Sequence, residues 1–216
     1  MSKISDNELN FIKGLKETIE NLSVVSSYVL IPEETCIIVV DMTNGFVKEG
    51  TFANEGIIKV NDDIADFITI SRGKKIDVFA LADSHNKGYY ENEFLLHNFH
   101  NDSEDCQLTE EIIEAGKITI INKNSSNGFL EDEFKEKVLD RYTNYIIVGC
   151  CTDICVQQLA LTLKAEFNRQ NLVKRVIVPK NLVATYDSIA HNSEITQLMA
   201  LYNMSINGIE VVQKII

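Results

Sequence analysis

The chain is short of the residues that break or staple structure. It has two prolines, ten glycines and no tryptophan in 216 residues. That excludes collagen-like and low-complexity classes. No apolar run approaches 18 residues, so no segment reads as a membrane-spanning helix. The opening MSKISDNELNF has neither a basic stretch nor an apolar one, which argues against a secretory signal and for a cytoplasmic protein. Positive charge is also scarce. Twenty Lys and Arg face 32 Asp and Glu, a net charge of -12. Such a chain repels phosphate backbones and anionic lipid, so nucleic acid and membrane are poor partners. A small neutral or cationic molecule is not disfavoured.

Five cysteines, an odd number without a signal, do not suggest a disulfide framework. Three fall in GCCTDICV, as Cys150, Cys151 and Cys155. No second C-x2-C cluster exists to complete a zinc knuckle. Cys150 and Cys151 read as small buried apolar residues.

What is present is an alternation of two patterns. Short β-branched runs, apolar on both faces, lie at 35–40, 76–82, 117–121, 144–150, 174–179 and 209–213. Amphipathic stretches fall between them at 57–70, 109–114, 131–142, 153–167 and 188–204. This pattern predicts a doubly wound α/β domain, a mainly parallel sheet of about six strands with helices on both faces. Residues 6–22 form an extra N-terminal helix in this reading, within a 1–30 extension. No linker or repeat divides residues 1–216, so a single domain is expected.

Ligands in such folds bind at the carboxyl ends of the strands. Those ends present Asp41, then Asp83 with His85, then Lys123, then the cysteine cluster. No glycine-rich phosphate loop follows any strand. Cys155 opens a helix, where the dipole favours a thiolate. A nearby carboxylate, Asp41, can take the thiol proton, and Lys123 can hold charge on both. This requires the strands at 35–40, 117–121 and 144–150 to be neighbours. Asp83 and His85, two apart in an extended segment, point the same way and suit one metal ion of the zinc, iron or manganese type. His97 or His100 is within loop reach as a third ligand. His191 falls on the helix at 188–204 and reads as structural.

Together these segments resemble the isochorismatase-like cysteine hydrolases, and among them the nicotinamidases, from about Thr35 to the C-terminus. IIVVDMTNGF resembles the first strand with its catalytic acid/base, here Asp41. INKNSSNGF resembles the segment with the catalytic lysine, here Lys123. GCCTDICV resembles the nucleophile motif, with Cys155 as nucleophile. The resemblance implies a cis peptide between Cys150 and Cys151 and an oxyanion hole from the backbone N–H groups of Cys151 and Cys155. It implies one divalent metal on Asp83, His85 and His97, with His100 the rival for His97 and Glu93 a candidate fourth ligand. The stretch around His97 lacks the family's proline, cysteine and Gly-Thr. Phe46, Phe94 and Phe129 are the implied ring-binding residues. The implied activity is hydrolysis of nicotinamide to nicotinate and ammonia in pyridine-nucleotide salvage, through a thioester. The rivals are a carbamoyl or ureido amidohydrolase, an isochorismatase, and a catalytically silent interaction module. The expected partners are a small-molecule amide and further copies of the chain in a homo-oligomer.

Overall fold

The computed structural model describes residues 5–48, 50, 52–85 and 103–216. Nine strands run in chain order: β1 (Val24–Val25), β2 (Thr35–Val40), β3 (Asp77–Asp83), β4 (Thr119–Lys123), β5 (Asn144–Cys150), β6 (Arg175–Pro179), β7 (Val183–Ala184), β8 (Glu210–Val212) and β9 (Lys214–Ile215). The α-helices are α1 (Asp6–Glu20), α2 (Asn44–Val47), α3 (Glu55–Arg72), α4 (Glu110–Ala115), α5 (Asp132–Phe134), α6 (Gln157–Arg169) and α7 (Ser193–Ile206). Seven strands make one parallel sheet in the order β4-β3-β2-β5-β6-β8, with β7 paired to β5. β1 and β9 pair apart from it.

The expected doubly wound architecture is therefore present, with the six foreseen strands in one sheet and β7 added. The foreseen N-terminal helix is present as α1. Its Ser5 and Glu8 cap each other's backbone, and Leu15 and Ile19 are buried. The reason for the double winding is visible along β2. Cys36, Ile38 and Val40 pack into one core with α1, α6 and α7, while Ile37 and Val39 pack into the other with α3 and α4. Alternate side chains leave a strand on opposite faces, so both faces must be covered. Each buried Val, Leu or Ile contributes roughly 1.5–3 kcal/mol.

α3 shows how local sequence sets an element. Asn54 accepts from the Gly56 and Ile57 N–H groups at its start, and Ile57, Val60, Ile64 and Ile68 form the buried stripe. Two foreseen helices contain π-helical turns, and a third starts later than expected. Residues 135–139 and 152–156 are π-helical turns leading out of α5 and into α6. α7 begins at Ser193, not at 188, because Asn192 takes the cap and accepts from the Ile195 N–H at 3.0 Å. His191 thus precedes the helix on which it was expected.

Two backbone features shape the carboxyl edge. Asp41 adopts a left-handed φ of 54°, tolerated best by Asp, Asn and Gly. Gly149, with φ of 119°, lies in register with Val40 on the neighbouring strand. A Cβ there would run into the Val40 carbonyl oxygen. Gly149→Ala therefore combines strain with a backbone clash and should cost about 3 kcal/mol or more. A urea denaturation midpoint equal to that of the parent chain would refute this.

Candidate functional site

The carboxyl edge gathers four ionisable side chains. Asp83 and Lys123 are register partners on β3 and β4, so their side chains leave the same face. Lys123 Nζ lies 2.6 Å from Asp83 Oδ1 and 3.0 Å from Asp41 Oδ2. It also donates to the Ser125 carbonyl at 3.1 Å and reaches Cys155 Sγ at 3.8 Å. Asp41, one residue past β2, turns on its left-handed backbone so that Oδ1 accepts the Asp83 N–H at 3.1 Å. The Cys155 thiol and the Asp41 carboxylate are close enough to influence each other electrostatically. Asp41, Lys123 and Cys155 thus form one contiguous buried cluster.

The route by which they meet differs from the expected one. β2 and β5 are neighbours, but β3 separates β2 from β4. Lys123 spans that gap with its four-carbon stem, and Asp83 on the middle strand takes part of its charge.

Burial sets the electrostatics. It raises the Asp41 carboxyl to about 6, with the Lys123 ammonium pulling the other way and the Asp83 charge adding to the rise. Burial likewise opposes ionisation of Asp83, but Lys123 and His85 outweigh it and hold that carboxyl below its usual range. Burial works against the Lys123 charge too, yet Asp41, Cys155 and Asp83 together hold the ammonium well above its ordinary range. The surroundings of Cys155 run against the expected thiolate. Burial pushes this thiol well up, Lys123 counteracts, and the Asp41 and Asp83 charges add to the rise. The turn Thr152–Val156 is π-helical, and Thr152, Cys155 and Val156 in it are buried.

The peptide between Cys150 and Cys151 is cis, as the resemblance implied. Beside the cluster, His85 Nε2 stands 3.2 Å from Asp83 Oδ2, and Nδ1 stands 3.0 Å from Asn124 Oδ1. Two ligands about 2.1 Å from one ion lie about 3–3.5 Å apart, so this pair fits two positions of a divalent site. Asn124 accepting from Nδ1–H would fix the ring as metal-binding histidines are fixed. Asn124, next in sequence to Lys123, was not singled out from the sequence, because a single asparagine after a strand carries no signal. No group of three metal-ligating side chains occurs among the described residues. His97, its rival His100 and Glu93 lie outside the described residues, as does Phe94. Phe46 is buried and stacks on Phe52 with centroids 5.3 Å apart, and Phe129 packs partly buried against Phe134 at 6.2 Å.

The structure is thus a parallel α/β sheet whose carboxyl edge holds a buried carboxylate, ammonium and thiol together. The isochorismatase domain matches residues 35–207, and the chain belongs to that family of hydrolases. It is 28% identical to nicotinamidase 1 of Arabidopsis thaliana, over 83% of this chain and 85% of that protein. The pyrazinamidase of Pyrococcus horikoshii in complex with zinc shares the fold with a TM-score of 0.65, at 20% identity over 83% of this chain and 99% of that one. N-carbamoylsarcosine amidase from Thermoplasma acidophilum does so with a TM-score of 0.66, at 20% identity over 83% and 95% of the two chains.

Removing Lys123 leaves two carboxylates facing each other without a counter-charge. Lys123→Met keeps the volume and should lose about 3 kcal/mol or more of unfolding free energy, whatever the activity. Urea unfolding of the purified variant measures it, and an unchanged midpoint would show that the ammonium does not hold the site together.

Proposed function

We propose that this hydrolase is a nicotinamidase-like amidase that cleaves nicotinamide to nicotinate and ammonia. The observation that supports this most is the buried Asp41–Lys123–Cys155 cluster beside the convergent Asp83–His85 pair. The 28% identity to a nicotinamidase agrees with it. In this reading Asp41 takes the Cys155 proton as the sulfur attacks the carboxamide carbon. The backbone N–H groups of Cys151 and Cys155 would receive the oxyanion. Asp41 then returns the proton to the leaving ammonia, and water hydrolyses the thioester. Lys123 holds negative charge on Asp41 or on the sulfur, whichever bears it.

Asp83 and His85 would hold the divalent ion, with His97 the proposed third ligand. When bound, the ion would supply a Lewis-acid anchor for the ring nitrogen, directly or through water. Phe46, Phe94 and Phe129 are the proposed ring contacts. A second reading, amidohydrolysis of a carbamoyl compound, draws on the shared fold with N-carbamoylsarcosine amidase. It lacks any use for the Asp83–His85 pair as a metal site.

Ammonia release from nicotinamide, pyrazinamide and N-carbamoyl compounds tests the substrate. The expected order puts nicotinamide first, and turnover of the carbamoyl compounds alone would reverse the reading. Cys155→Ala should abolish turnover, and Asp41→Asn should slow it by at least ~10²-fold. Near-full activity of either variant would remove that residue from the mechanism.

The metal is tested independently of catalysis. Elemental analysis of protein prepared without chelators should give about one divalent ion per chain, sharply reduced in His85→Ala. Wild-type protein without metal would favour the carbamoyl reading.

A further inference from the structure

His191 and Asp153 make a second, partly buried polar pair that the proposed chemistry does not use. Asp153 sits in the turn between the cis Cys150–Cys151 peptide and Cys155. Both of its carboxylate oxygens are taken. Oδ1 accepts from the Thr185 hydroxyl at 2.5 Å, and Oδ2 faces His191 Nε2 at 2.9 Å. The other ring nitrogen, Nδ1, faces the Tyr186 carbonyl at 2.9 Å. An oxygen acceptor faces each ring nitrogen, and an N–H on Nε2 donates to the Asp153 carboxylate. Its plane stacks on the Tyr186 ring with centroids 3.9 Å apart and planes 7° apart. Tyr186 meets Phe52 edge-on at 4.9 Å, and Phe52 stacks on Phe46, five residues after Asp41.

A continuous path of side chains therefore runs from the Cys155 turn to the Asp41 turn by way of His191. The Ile154 and Val156 N–H groups both donate to the Cys151 carbonyl, which closes the turn on itself. The turn packs against α7 and β7 of the C-terminal segment, and Asp153 adds a directional polar tie to that segment.

We infer that His191 is a positioning residue for the nucleophile, setting Cys155 relative to Asp41 through the carboxylate of Asp153. The inference rests on the reading of Cys155 as the nucleophile. It assigns no new chemistry to His191, which touches neither the thiol nor the proposed base. It does assign a specific atom, the Nε2–H donor, and that makes it testable against a role for the ring as mere packing.

Two substitutions separate donor from ring. His191→Gln keeps an N–H where Nε2 lies and loses the stacked ring. His191→Phe keeps the ring on Tyr186 and loses the donor. The expected result on the full-length enzyme is a fall in kcat of ~10-fold or more for His191→Phe with KM for nicotinamide little changed, since a misplaced nucleophile slows the chemical step. His191→Gln should stay within about threefold of the parent by the same argument. Asp153→Asn, which retains an acceptor for Thr185, should lower kcat comparably. The Asp153→Asn/His191→Phe double variant should fall no further than the worse single one, because the two residues act as a unit. The rate at which iodoacetamide alkylates Cys155, followed by peptide mapping, should shift in His191→Phe and not in His191→Gln. This second readout needs no substrate, so it decides the matter even if no tested amide is turned over or His191→Phe is recovered in low yield. Equal losses in His191→Gln and His191→Phe would overturn the proposal, as would full activity and an unchanged alkylation rate in His191→Phe. Full turnover by Cys155→Ala would instead overturn the nucleophile reading, whatever His191 does.

Discussion

The ammonium of Lys123 is the interaction on which the carboxyl edge depends. It is fully buried and holds two carboxylates from two other strands within 3.0 Å. Without it, Asp41 and Asp83 would place two negative charges in a nearly water-free space, which costs several kcal/mol per unpaired ion. The cluster still counts two carboxylates to one ammonium. The imbalance is met in part at Asp41, whose carboxyl burial lifts to about 6. It is met in part at Asp83, whose second oxygen faces His85. A divalent cation between Asp83 and His85 would meet the same need. The charge arithmetic and the ligand spacing thus point to one place.

The sheet explains why these charges can be held at all. A parallel sheet covered on both faces gives rigid, dry strand ends, and the side chains that emerge there are set by register rather than by loop conformation. Asp83 and Lys123 are paired by register. Asp41 is aimed by its left-handed φ and by the Asp83 N–H. Cys155 is delivered by the short turn after β5, which the Gly149 contact with β2 brings close to Asp41. Asp41, Asp83 and Lys123 are thereby at a strand end or one residue past it, and Cys155 follows the end of β5 by one short turn.

That closeness decided what could be read from the sequence. Asp41 and Asp83 were legible because each directly follows an apolar run, and run ends become strand ends; Cys155 was legible from the cysteine cluster that begins where such a run ends. The alternation of elements gave the fold class for the same reason. Strand order was not legible, since it is a property of the crossovers, and Lys123 was accordingly placed on a neighbour of β2. The two-residue strand β7 is too short to leave a pattern. The pull against ionisation at Cys155 was not legible because a helix end is visible locally, whereas burial beside two carboxylates is a tertiary fact. His191 was misplaced because helical periodicity ran back past the true cap at Asn192. The Asp153–His191 contact, 38 residues apart, had no local trace.

The raised thiol of Cys155 at first looks like an obstacle to nucleophilic catalysis. It is one only if the proton must leave for bulk water, which would add a net negative charge to the buried cluster. Transfer to Asp41 adds none, because an anion on sulfur replaces an anion on carboxylate. Lys123 Nζ stands 3.0 Å from one and 3.8 Å from the other, so its attraction changes little as the charge moves. The carboxyl at about 6 is also a better match for a thiol than an ordinary aspartate would be. Burial thus has two effects that belong together. It favours the protonated sulfur, and it raises the carboxyl that accepts the proton in the proposed mechanism.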